Sequence, residues 1–171
     1  MTTEALKESL WRQFGASIDM LKNAIELCPE ELLRKRRRIF YTIYHVLVFL
    51  DFYLSLPPQN FVAGLPFTLN EGNDKPDEAI DDVIPDRFYS KQELLDYLNA
   101  SRTKCRTIIK GFTDEKLDER FIEDPPNGKN YSRFEILLYN MRHVQHHAAQ
   151  LNLLLRQNIN SAPKWVREAK D

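Results

Sequence analysis

Cysteine is scarce in this chain. Cys28 and Cys105 are the only two among 171 residues, and they fall in separate predicted helices. A secreted disulfide scaffold needs more, and no Cys-x-x-Cys pair is present for metal or redox work. A reducing, cytoplasmic compartment is the expectation. Neither sign of charge is in excess: 24 Lys and Arg stand against 25 Asp and Glu, a formal net charge of -1. Such a balance supplies no global attraction to nucleic acid or to an anionic membrane, and neither is expected as a partner. The N-terminus, Met1-Thr2-Thr3-Glu4-Ala5-Leu6-Lys7-Glu8, lacks the apolar core of a signal peptide. The most apolar stretch, from Ile39 to Leu56, reaches ~18 residues, the lower limit for a membrane span. It carries Thr42, His45 and Asp51 inside it, so it reads as a buried helix and not as a membrane segment.

What is present is enough apolar material for a core. Apolar residues make up 43% of the chain and charged residues 29%, which fits one globular domain over residues 1–171. The spacing predicts a first helix over about 3–27, with Leu6, Leu10, Phe14, Ile18, Leu21 and Ile25 on one face. A short turn follows Pro29. The second helix, about 37–56, is apolar almost all round and must be buried on most sides; it stops at Pro57-Pro58. The third opens at Ser90 with Glu93 at capping-box spacing and continues through Leu94, Leu98, Ser101, Cys105, Ile108 and Phe112. The fourth opens in the same way at Ser132 and Glu135 and runs to about Gln157. Phe134, Leu137, Met141, Val144, Ala148, Leu151 and Leu155 form its seam. Two non-periodic segments remain. Residues 57–89 hold five prolines beside acidic residues, a length that in a compact domain is functional or mobile. Residues 113–131 hold a short helical turn and the turn signal Pro125-Pro126-Asn127-Gly128. No strand alternation is visible, and the expected fold is all-α: an antiparallel four-helix bundle with a long loop between helices two and three.

The four histidines carry the chemistry. His143 and His147 are four apart on the fourth helix and stand nearly above one another, His147 on the shoulder of the apolar seam and His143 a little further round. His146 points the other way, towards solvent. His45 lies in the run Ile43-Tyr44-His45-Val46-Leu47-Val48, where an unpaired imidazole costs ~1–3 kcal/mol, so it needs a partner. Taken one at a time, a buried His is a hydrogen-bonded core residue and an i, i+4 pair is a surface coincidence. Taken together, on helices that can be neighbours, His45, His143 and His147 make a candidate metal set. No Glu stands three residues before any His and no His-Glu-x-x-His occurs, which leaves a single-metal, three-nitrogen site with open positions.

The stretch Asn140-Met141-Arg142-His143-Val144-Gln145-His146-His147-Ala148-Ala149-Gln150-Leu151 resembles the last-helix signature of the DinB-like family (the DinB/YfiT superfamily), His-x-x-His-His-x-x-Gln-Leu. His45 in an apolar second helix matches as well, and the resemblance extends over essentially the whole chain. It implies an up-down-down-up bundle, a mononuclear site of His45, His143 and His147 filled by nickel, zinc, iron or manganese, and frequent homodimers. Family members include thiol S-transferases that use bacillithiol or mycothiol, a mycothiol-dependent isomerase and a hydrolase-like protein. A metal-dependent transferase or hydrolase acting on a small molecule, with a low-molecular-weight thiol among the candidates, is therefore expected beside a non-catalytic metal or small-ligand sensor. In such an enzyme the ion would activate water or a thiolate. Ala149 replaces a Gly common in relatives, and no thiol-binding residue set is identifiable.

Other features have plainer readings. Arg34-Lys35-Arg36-Arg37-Arg38 and the acidic Asp74, Asp77, Glu78, Asp81 and Asp82 read as solvated surfaces. Cys105 lies on a core stripe, where a nucleophile would need an electropositive, partly exposed setting. Tyr41, Tyr44 and Tyr139 are near the site in sequence, and each reads as packing. Asp51, about 120° round the helix from His45, is a candidate outer-sphere or general-base group. Gln150 can hydrogen-bond near the pair.

Overall fold

The computed structural model describes residues 2–70, 75–124 and 128–170. Four long helices dominate: α1 (Thr3–Leu27), α3 (Arg37–Phe52), α4 (Lys91–Lys110) and α6 (Arg133–Ile159), with the short α2 (Glu30–Lys35) and α5 (Asp114–Leu117) between them. Each long helix except α3 starts where a side chain satisfies an orphan backbone donor. The Thr2 hydroxyl accepts from the Ala5 N–H and the Ser132 hydroxyl from the Glu135 N–H. Ser90 and Glu93 form the reciprocal capping box that their spacing predicts. α6 ends on Asn160, whose φ of 52° places it in the left-handed region that closes helices.

The helices pack as the apolar stripes require. α1 lies against α4 and α6, and α3 lies against the same two. The shared core holds Phe14, Ile18, Leu21 and Ile25 of α1, Tyr44 and Leu47 of α3, Leu94, Leu98 and Cys105 of α4, and Val144, Ala148 and Leu151 of α6. α3 is the most enveloped, as its all-round apolar sequence demands. No helix among the described residues is long and apolar enough to cross a membrane.

The chain is mostly helical, as expected, and two short strand pairs that leave no trace in the sequence pattern lie in its loops. Within the loop after α3, β1 (Phe67–Leu69) pairs antiparallel with β2 (Val83–Pro85). Within the loop after α5, β3 (Arg120–Ile122) pairs with β4 (Asn130–Ser132). Strands of three residues are too short to print a period of two on the sequence. α3 also ends at Phe52, not near 56. The residue before Pro57 is biased away from the helical region, and the chain tightens after Asp51: its carbonyl accepts from the Leu54 N–H, the Ser55 hydroxyl and the Lys104 ammonium, while the Ser55 N–H donates to the Phe52 carbonyl. Asp74 of the acidic cluster and Pro125, Pro126 and Asn127 of the turn lie outside the described residues.

The long loop is anchored to the helices. The Tyr44 hydroxyl, on α3, is 2.7 Å from the Leu65 carbonyl oxygen, and the Tyr89 hydroxyl donates to the Pro66 carbonyl at 2.7 Å. The C-terminal segment returns along α1: Ala169 N–H donates to the Arg12 carbonyl at 2.9 Å and Glu168 pairs with Arg12. Gly15 is required there, because a Cβ on it would stand 2.5 Å from that of Ala169.

Candidate metal centre

α3 delivers His45 and α6 delivers His143 and His147 to one point. His45 Nε2 is 3.0 Å from His143 Nε2, and His147 Nε2 is 3.1 Å from the same atom. The three residues offer ligand atoms that all lie within 4.8 Å of one another. Two nitrogens on one tetrahedral ion, each ~2.0–2.1 Å from it, stand ~3.3 Å apart. The observed spacings lie slightly inside that figure. His147 is buried, His45 and His143 are half-buried, and His146 is exposed, on the other side of the helix as its position predicts.

The outer nitrogens fix the protons. His45 Nδ1 is 2.7 Å from Asp81 Oδ2, and an ionised carboxylate can only accept. His147 Nδ1 is 2.8 Å from Gln150 Oε1, while the Gln150 amide nitrogen is 3.0 Å from His146 Nε2 and donates to it. Both outer nitrogens therefore carry N–H, and in the neutral rings both inner nitrogens keep their lone pairs. A proton on His143 Nε2 could satisfy only one of those two lone pairs, and would leave the buried Nδ1 of His143, which has no hydrogen-bond partner among the described residues, as an unmet acceptor. A cation facing three Nε2 lone pairs removes that conflict. The residues present fit a divalent ion.

Electrostatics favour the ligating, neutral form. Burial, reinforced by repulsion from His147, His45, His146 and Lys129, pushes the His143 pKa down to about 3. Burial and His45 bring His147 down to about 4, with the Gln150 hydrogen bond opposing. Aromatic rings wall the site: Phe49 lies 4.7 Å from the His45 ring, and Tyr53 meets His143 edge-on at 5.9 Å. Lys129, from the β3–β4 hairpin, sits over the rings of Tyr53 and Tyr139. A cleft of about 770 Å³ beside α1, α6 and the C-terminal segment has His143, Arg142 and Trp165 in its walls.

Several sequence candidates serve other ends. Asp51 turns away from the histidines: it takes the Lys104 ammonium at 2.6 Å and the Tyr97 hydroxyl at 2.9 Å, tying α3 to α4. Tyr44 anchors the long loop, Tyr41 is buried against Phe40, and Tyr139 packs on Tyr53 at 5.2 Å. Cys105 is fully buried, and burial pushes its thiol pKa up, which suits packing and not nucleophilic attack. In the basic run, Arg34 and Lys35 face Glu30 and Glu31 one turn away, on the surface. Asp81 is the residue whose role sequence reasoning missed. It sat in an acidic cluster read as solvated, yet it is half-buried where Asp77, Glu78 and Asp82 are exposed. Phe49 and Tyr53 were legible in principle, one and two turns beyond His45 on the same face.

The sequence model of the DinB superfamily matches residues 13–151. A solved structure of a conserved protein from Enterococcus faecalis is similar in fold, with a TM-score of 0.52 at 20% identity, covering 85% of this chain and 96% of that one. No curated protein matches the chain.

Proposed function

The chain belongs to the DinB superfamily, and on that premise we propose that it is a mononuclear metal-dependent enzyme whose ion is held by His45, His143 and His147 within an antiparallel four-helix bundle. The observation that carries this reading is the convergence of three imidazole Nε2 atoms, His45 and His147 each within 3.1 Å of His143 Nε2. When bound, a divalent ion supplies Lewis acidity, enough to acidify water or a thiol near neutral pH. The chain's own groups do the rest. Asp81 and Gln150 orient two of the rings. Phe49 and Tyr53 keep bulk water from one flank of the site. His143 also forms part of the wall of the cleft beside α1 and the C-terminal segment, where a small molecule could lie next to the cluster.

Three nitrogen ligands leave a tetrahedral ion at least one open position, the arrangement of catalytic and not of closed structural sites. That favours a transferase of the thiol S-transferase type or a hydrolase over a purely structural ion. Elemental analysis of protein expressed with added zinc and nickel tests the metal reading. About one ion per chain is expected, and a ratio near zero overturns it. Thiol-transfer and ester-hydrolysis assays, with the His143→Ala protein as control, test catalysis. Turnover lost in the variant supports the enzyme, and equal turnover in both proteins refutes it.

A further inference from the structure

The long loop between α3 and α4 contributes one side chain to the cluster, and its geometry is specific. Asp81 Oδ2 lies 2.7 Å from His45 Nδ1, while Asp81 Oδ1 accepts the Val83 N–H at 3.0 Å. Val83 opens β2, which pairs with β1 through Phe67↔Pro85, Thr68↔Ile84 and Leu69↔Val83 and itself packs on α3. One carboxylate therefore has each oxygen committed, one to the hairpin's backbone and one to the ring. Among the three clustered rings, His45 has a charged acceptor on Nδ1 and His147 a neutral one, and His143 has none among the described residues. An acceptor on Nδ1 decides which ring nitrogen holds the proton and locks the ring plane, and a carboxylate does so more strongly than an amide.

We infer that Asp81 is a positioning residue for His45: it holds the proton on Nδ1, leaves Nε2 free to ligate, and so couples metal affinity to the docking of the β1–β2 hairpin. The coupling is reciprocal, because a ligand that favours the aligned ring favours the docked hairpin by the same free energy. The metal part of this inference rests on the proposed metal site; the tautomer part does not.

The test separates the two. In metal-free protein near pH 8, nitrogen-15 NMR of the imidazoles reports the tautomer of His45 directly. Wild type is expected to hold the proton on Nδ1, and Asp81→Ala to show a mixture or the opposite tautomer. Chelator competition with zinc is expected to show affinity ~10–100-fold weaker in Asp81→Ala, the usual size of an outer-sphere change. Zinc is also expected to slow hydrogen exchange in 67–69 and 83–85 in wild type but not in the variant. Asp81→Glu, which keeps the carboxylate, is expected to recover part of both the tautomer and the affinity. A role confined to loop stability would lower the melting temperature and leave the tautomer unchanged. An unaltered His45 tautomer in a folded Asp81→Ala protein overturns the inference, whatever the metal result. Absence of zinc binding in wild type would instead overturn the proposed metal site, with the tautomer comparison still deciding the role of Asp81.

Discussion

His143 Nε2 and His45 Nε2 stand 3.0 Å apart although 98 positions separate them in the chain. His143 is also the ring that His147 faces, at 3.1 Å, so it is the hub of the cluster. Replacing it by Ala removes the nitrogen that both others approach. Metal affinity is expected to fall by more than the ~10–100-fold typical of outer-sphere changes, as read by chelator competition. The metal-free variant is expected to lose no more than ~1 kcal/mol of stability, because His143 Nδ1 already lacks a partner among the described residues. A metal-free variant that fails to fold would mean that His143 is primarily a core residue.

Acid is expected to weaken the metal-free fold through these rings. An unfolded His takes its proton near pH 6.5, whereas His147 and His143 in the fold do so only near 4 and 3. Between those values the unfolded chain binds more protons, so the contribution to stability is complete above about 6.5, declines as the pH falls, and levels off below about 3. Denaturant unfolding at pH 5 and pH 7.5 should give a lower midpoint at pH 5. The slope should be reduced in a His143→Ala, His147→Ala double variant. Equal slopes in both proteins would contradict the assignment.

Asp51 belongs to the frame and not to the site. Lys104→Met removes the cation 2.6 Å from its carboxylate and leaves the Tyr97 hydroxyl as partner. With the Lys104 side chain 38% exposed, solvent screening trims the effect to ~1–2 kcal/mol, measurable by chemical denaturation. Metal content should be unchanged. Its loss would return Asp51 to the site.

How much of this was legible in the sequence follows from what leaves a periodic trace. Leu10, Phe14, Ile18, Leu21 and Ile25 fall on one face of α1 and are all buried; the 3.6-residue period was enough. The pair His143 and His147 was readable for the same reason, and His45 because an imidazole in an apolar run demands a partner. Asp81 was not readable: it meets His45 across 36 positions through a hairpin, and a contact set by loop closure has no spacing to detect. The three-residue strands and the early end of α3 escaped for related reasons. The strands are too short to alternate, and at the helix end the Asp51 carbonyl meets Lys104 of α4, a contact with no local sequence signal.

The C-terminal segment gives a test of packing remote from the histidines. Gly15→Ala gains ~1 kcal/mol of helix propensity but puts a methyl 2.5 Å from the Ala169 Cβ. The segment is expected to detach. The Ala169 amide, which donates to the Arg12 carbonyl, should lose its hydrogen-exchange protection while metal content stays constant. Retained protection would show that α1 can shift to admit the methyl.

X-ray absorption on zinc-loaded protein addresses the ligand set most directly. Three imidazole nitrogens at ~2.0–2.1 Å are expected, with the outer-ring scattering of imidazole, falling to two in the His45→Ala protein. Sulfur in the first shell, or a wild-type spectrum unchanged by removing His45, would contradict the site.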